Sequence, residues 1–178
     1  NMLRYKLDDL GWFQFESLVQ SLMKAELGIT VESWGGQSDL GRDAYARRGV
    51  VIPGSKSCGA GAVVFQAKFV QGANAAGAQW EAALMKAVKN ECDQIQARMK
   101  SKKWVRPDDY VLLTNCPVTS RLRGSLETTL THAQPGLSVL VLGGVDICGL
   151  LDKHVGLRRS FPEILSLRDI DEMLREVV

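Results

Sequence analysis

Gln66-Ala67-Lys68 closes the apolar run Ala62-Val63-Val64-Phe65. Side chains two apart on a strand share a face, so an amide oxygen and an ammonium would stand together while Ala67 points away. Upstream, the stretch Gly35-Gly36-Gln37-Ser38-Asp39-Leu40-Gly41-Arg42-Asp43 supplies carboxylates in a Gly-rich turn, and Glu16 lies on an amphipathic segment before it. A hard oxygen anion, an amide oxygen and a fixed cation on neighbouring strands suit the handling of negative charge. A Lys at a strand end is commonly structural. The combination with Asp43 and Glu16 is what marks this one as a site.

Positioning such groups takes a framework, and the periodicities predict one. Asp8 or Asp9 can cap a helix carrying Phe13, Phe15, Leu18, Val19, Leu22 and Leu27 at helical spacing, stopped by Gly28. Strands are predicted at Ile29–Trp34, from Asp43, and at Ala62–Val70, with Gly49–Gly61 as a long hairpin loop. Gly72–Gly77 reads as a small, flexible loop able to move against substrate. Trp80, Leu84, Val88, Cys92, Ile95 and Met99 predict a helix over Gln79–Lys103. Tyr110–Thr114 reads as a central strand, Ser120–Gln134 as a helix with Ser120 as its cap, and Leu137–Leu142 as a further buried strand. Short helical pieces follow from Val145. Strands alternating with helices after Lys68 argue for an α/β sandwich.

On Phe15-Glu16-Ser17-Leu18-Val19, Gly35-Gly36 through Gly41-Arg42-Asp43, and Val63-Val64-Phe65-Gln66-Ala67-Lys68, the chain resembles the Mrr-like branch of the PD-(D/E)xK nucleases. This is the restriction-endonuclease-like superfamily. The likeness is close over residues 12–70 and looser to about residue 145. It implies a central mixed sheet flanked by helices, with a helix and three antiparallel strands first, and metal-dependent cleavage of phosphodiester bonds. Gln at position 66 replaces an acid, as is common in that branch. Asp43, Gln66 and the Ala67 carbonyl would hold magnesium or manganese, joined by Glu16 directly or through water. Magnesium wants hard oxygens and lowers the pKa of its water. Lys68 would stand beside the attacking water, stabilising developing charge. Arg42 would contact phosphate or pair with an acid, and Asp39 would shape the turn.

Other features carry less chemistry. Gly54-Ser55-Lys56-Ser57-Cys58-Gly59 lacks the Gly-Lys-Ser/Thr ending of a phosphate loop. Lys102 and Lys103, beside Trp104 and Arg106, form a small basic patch that could touch a nucleic-acid backbone. The two histidines, His132 and His154, have no acidic partners at telling spacing. Four dispersed cysteines read as incidental thiols of a reducing cytoplasm and argue against zinc. Residues 1–125 carry 17 Lys and Arg against 12 Asp and Glu, whereas 126–178 carry 5 against 8. The basic excess therefore coincides with the candidate site, which suits a polyanionic partner such as DNA.

These readings predict a nuclease core over 1–145 and a short helical acidic tail over 146–178, packed on the core or leading to a following domain. Thr114-Asn115-Cys116-Pro117-Val118-Thr119 and Leu157–Glu163 also resemble nuclease modules fused to STAND-type NTPases of restriction and anti-phage defence. That likeness implies fused or partner NTPase and sensor domains. With no sequence-reading motif in the chain, controlled cutting of both strands would call for a homo-oligomer as the active form. With no apolar stretch of membrane-spanning length and no signal-peptide pattern, the expectation is a cytoplasmic protein without a membrane partner. Two rival classes stay open: a nuclease-like module that binds nucleic acid or a partner without cutting, and an RNA-directed nuclease.

Overall fold

The apolar runs that end at Lys68 and Thr114 form strands covered on both faces. The run ending at Leu142, expected to be buried, forms an edge strand among the described residues, in which only Val141 is fully buried. A computed structural model of the chain describes residues 3–27, 31–33, 44–46, 63–100 and 107–177, with 31–33 and 44–46 described in backbone only. Helix α1 (Gly11–Leu27) leads to β1 (Val31–Ser33), β2 (Ala44–Ala46) and β3 (Val63–Lys68). There follow α2 (Trp80–Met99), β4 (Asp109–Thr114), α3 (Ser120–Ala133), β5 (Ser138–Leu142), α4 (Gly144–Lys153) and α5 (Leu167–Arg175). Among the described residues the five strands lie in chain order across one sheet. β1, β2 and β3 pair antiparallel, and β3, β4 and β5 pair parallel. Parallel neighbours need crossovers, which α2 and α3 provide. The protein is thus of the α/β class, with a mixed sheet between helical layers.

Strand alternation sorts the side chains into two cores. Val63, Phe65, Val111 and Leu113 pack with Phe15, Leu18, Val19 and Leu22 of α1. Val64, Tyr110, Leu112 and Val141 pack with Leu84, Val88 and Ile95 of α2 and with Leu126 and Leu130 of α3. Coverage of both faces explains why these strands read as unbroken apolar runs rather than as alternating ones. Each buried Leu, Val or Phe contributes about 1.5–3 kcal/mol relative to exposure.

The tail closes over the α1 side. Phe161, Ile164 and Leu165 join that core, the Lys6 amide donates to the Ile164 carbonyl at 3.1 Å, and Arg4 lies 2.7 Å from Asp169. No helix among the described residues is long and apolar enough to cross a membrane.

Three local expectations change. Asp8 is not a helix cap: Leu7–Leu10 form a 3-10 turn anchored by buried Leu7 and Leu10, and α1 starts only at Gly11. The Asp8 carboxylate instead accepts from the Asn74 amide nitrogen at 2.7 Å, Asn74 Nδ2 at 2.6 Å and Asn115 Nδ2 at 2.8 Å. The Gly72–Gly77 loop is consequently tied down. Its turns use φ of 64° at Gly72 and 73° at Gly77, a region that favours glycine. Thr119, not Ser120, caps α3: its extended backbone puts Oγ1 over the first turn, where it accepts from the Leu122 amide at 3.3 Å. Gly28 and the loop Gly49–Gly61 lie outside the described residues.

Candidate functional site

Everything at the candidate site follows from where β3 stops. Val64 faces the α2–α3 core, so alternation turns Gln66 and Lys68 to that same side and Ala67 to the α1 side, where it packs with Phe65. Gln66 is buried, at 7% exposure. Across the parallel ladder Gln66 stands opposite Leu112 and Lys68 opposite Thr114. The chain leaving β3 is fixed at once: Asn115 Oδ1 accepts from the Val70 amide and Asn115 Nδ2 donates to the Val70 carbonyl, both at 2.8 Å. Asn115 itself is fully buried. The strand end carrying Lys68 is therefore held from β4 and, through Asp8, from the N-terminal turn.

The Lys68 ammonium lies 2.9 Å from Glu91 Oε2 on α2. The Glu91 side chain is 2% exposed and that of Lys68 21%, so the anion is sealed while the cation reaches the surface. Arg98 Nη1 stands 3.6 Å from Glu91 Oε1, beyond hydrogen-bond range, and its Nη2 donates to Gln94 Oε1 at 2.9 Å. Glu91 escaped the sequence reading, which followed only the apolar positions of α2. A signal was present. Glu91 falls three residues after Val88 and four before Ile95, in the buried register of the helix, where a carboxylate must find a cation.

The other expected residues are distributed as follows. Glu16 rides half-buried on α1, the helix that packs on the Phe65 side, and its Oε1 accepts from Gln20 Nε2 at 3.5 Å. The described ion pair of Lys68 runs to α2 instead. Asp43, Arg42 and Asp39 lie outside the described residues, as do Lys102 and Lys103. Ala44, the residue after Asp43, begins β2 and pairs with Phe65, the residue before Gln66.

The Gln66 amide oxygen and the Ala67 carbonyl are hard donors, of the type magnesium and manganese prefer. Among the described residues no three His, Cys, Asp or Glu side chains gather into a metal-binding group. Their donor chemistry fits such a cation, and a site at this strand end would take its carboxylate from Asp43.

Other reactive side chains sit elsewhere. His154 Nε2 lies 2.6 Å from Glu26 Oε2, and Lys153 Nζ lies 2.7 Å from Glu26 Oε1. Lys153 first, and His154 second, hold the Glu26 carboxyl below its usual range. Cys92, Cys116 and Cys148 are free and buried. Burial pushes the Cys116 thiol up to about 11 and raises the other two, which makes poor nucleophiles of all three. Set against family models, curated proteins and solved structures, the chain matches none.

Proposed function

We propose that this protein is a metal-dependent endonuclease of restriction-endonuclease-like architecture that hydrolyses phosphodiester bonds of DNA, in a restriction or anti-phage defence setting. The observation that carries the reading is the pair Gln66 and Lys68, side by side at the end of a buried strand, with the Lys68 ammonium held by a sealed carboxylate yet open to the surface. Further support comes from β2, which begins immediately after Asp43 and pairs beside Gln66. Asp43, the Gln66 amide oxygen and the Ala67 carbonyl would hold magnesium or manganese; Glu16 would have to reach this site from α1, which covers the opposite face of the sheet. The bound ion supplies charge neutralisation on the phosphate and a more acidic water.

Lys68 acts on the phosphate itself. Water attacks phosphorus as one P–O ester bond breaks; one water proton ends on the departing oxygen, giving a phosphate monoester and a free hydroxyl. Negative charge grows on the non-bridging oxygens during that step, and a fixed ammonium stabilises it. Gln66 orients rather than transfers a proton, since its amide has none to spare at neutral pH. The basic excess of residues 1–125 favours approach of a polyanion.

The test is incubation of the purified chain with plasmid DNA and, separately, with structured RNA, adding magnesium or manganese. Metal-dependent nicking or linearisation of DNA is the expected result. Cleavage of RNA alone would transfer the site to an RNA-directed nuclease. Metal-independent binding of DNA without cleavage would leave a nucleic-acid-binding module.

A further inference from the structure

Glu91 occupies a position where an apolar side chain would cost less. It lies on the inner face of α2 among Leu84, Val88, Cys92 and Ile95, with its side chain 2% exposed. Moving a carboxylate out of water costs several kcal/mol, and replacing a buried ion pair by well-packed apolar groups is often neutral or stabilising. Compensation here is thin. Lys68 contacts Oε2 at 2.9 Å, Arg98 stays 3.6 Å from Oε1, and Oε1 accepts no hydrogen bond among the described residues. Stability alone gives little reason for a charge at this point.

Control of Lys68 does give one. A lysine at a strand end has four rotatable side-chain bonds and samples many rotamers unless something holds it. Glu91 engages one of the three ammonium donors and leaves two for other oxygens. Because Glu91 is buried on a helix that packs against the same sheet face, its carboxylate is a rigid anchor rather than a mobile surface partner. Arg98, engaged with Gln94, keeps a second positive charge near the same carboxylate.

Resting on the nuclease reading above, we infer that Glu91 is a positioning residue for Lys68: its sealed carboxylate fixes the ammonium where it stabilises charge on the scissile phosphate, without itself touching substrate. The class of group it serves is a phosphodiester oxygen.

Two measurements on the full chain test this. In the unaltered protein labelled with nitrogen-15 lysine, the Lys68 ammonium should give an ordered side-chain NMR signal, and Glu91→Gln should abolish it. In single-turnover cleavage with magnesium, Glu91→Gln should slow the maximal rate by about 10- to 100-fold, the scale seen when a group that orients a functional side chain is removed, with DNA affinity unchanged. Added to Lys68→Met, the same change should cost nothing more, because both act through one ammonium. A Glu91→Gln rate within twofold of the unaltered chain, or an additive loss in the double variant, would overturn the inference. So would the lack of an ordered Lys68 signal in the unaltered chain, a result that stands even if the variants unfold. If the unaltered chain shows that signal yet cuts neither DNA nor RNA with either metal, alone or dimerised through an appended coiled coil, the nuclease reading itself fails, and this inference with it.

Discussion

Glu91 and Asp169 are both buried carboxylates, yet their surroundings differ in kind. Asp169 lies in the first turn of α5 and is held at both oxygens: Oδ2 accepts from the Ser166 amide at 2.8 Å and the Ser166 hydroxyl at 2.6 Å, and Arg4 forms an ion pair with Oδ1 at 2.7 Å. Burial pushes its pKa up, but the Ser166 hydrogen bonds and then Arg4 outweigh that and leave it below the usual range. All its partners are structural: a helix cap and a strap to the N-terminus. Among the described residues Glu91 has no backbone partner and one close cation, which projects from the end of the strand that also carries Gln66. A carboxylate bonded to its own helix cap stabilises a fold; one bonded to a surface-reaching lysine controls where a charge sits. Burial alone does not distinguish the two.

Lys68 and Asp43 offer the hardest test of that contrast. Asp43→Ala should abolish cleavage with thermal stability retained, and Lys68→Met should lower single-turnover cleavage on the order of 100-fold or more. Lys68→Met also strands Glu91, so rates must be compared per folded molecule. If Lys68 were structural in the sense that Arg4 is, the variant would lose stability and keep its cleavage rate.

Asp169→Ala should do the reverse. Loss of charge-assisted hydrogen bonds costs about 2 kcal/mol, which for a chain of this size lowers Tm by roughly 4–8 °C. Cleavage per folded molecule should not change. A stable Asp169→Ala protein with impaired cleavage would erase the distinction drawn above.

A smaller effect is expected from pH. Glu26 and Asp169 both have folded pKa values below their ordinary ones. Each therefore contributes stability that is fully present above the ordinary carboxylate pKa and is lost as pH falls through the lower folded value. Urea midpoints should fall from about pH 4.5 downward, the ordinary Glu value, and Glu26→Gln should flatten that decline. A Glu26→Gln profile parallel to that of the unaltered chain would refute the assignment.

The smallest effect concerns the thiols. Cys92, Cys116 and Cys148 should resist alkylation at pH 8 in the native chain and react after unfolding, as read by intact-mass spectrometry. Rapid native labelling of Cys116 would contradict its burial.

Much of the fold was legible because its cues are local. The apolar runs before Lys68, Thr114 and Gly143 predict β3, β4 and β5, helical spacing predicts α1 and α2, and the helix read at Ser120–Gln134 is α3, all to within a few residues. The side-by-side placement of Gln66 and Lys68 followed from strand geometry alone. Where a polar side chain had several local uses, sequence reasoning chose the nearest one. The sequence offers Asp8 or Asp9 as a helix cap, yet Asp8 bonds Asn74 and Asn115, 66 and 107 positions away. No local pattern marks Gly144 as special, but a Cβ there would meet the Asn115 carbonyl at 2.7 Å and Leu3 Cδ1 at 2.6 Å, a close approach created by packing.

By itself, then, the sequence determined the α/β class, the order of elements and the shared face of Gln66 and Lys68, since period and residue type are properties of short stretches. Only the tertiary structure decided that Lys68 meets Glu91 rather than another acid, that the tail folds back onto Tyr5 and Arg4, and that the loop after β3 is tied by Asp8. Those pairings join residues far apart in the chain. Their partners are selected by which helix covers which sheet face, and that choice is made by the summed burial of two cores, not by any local pattern.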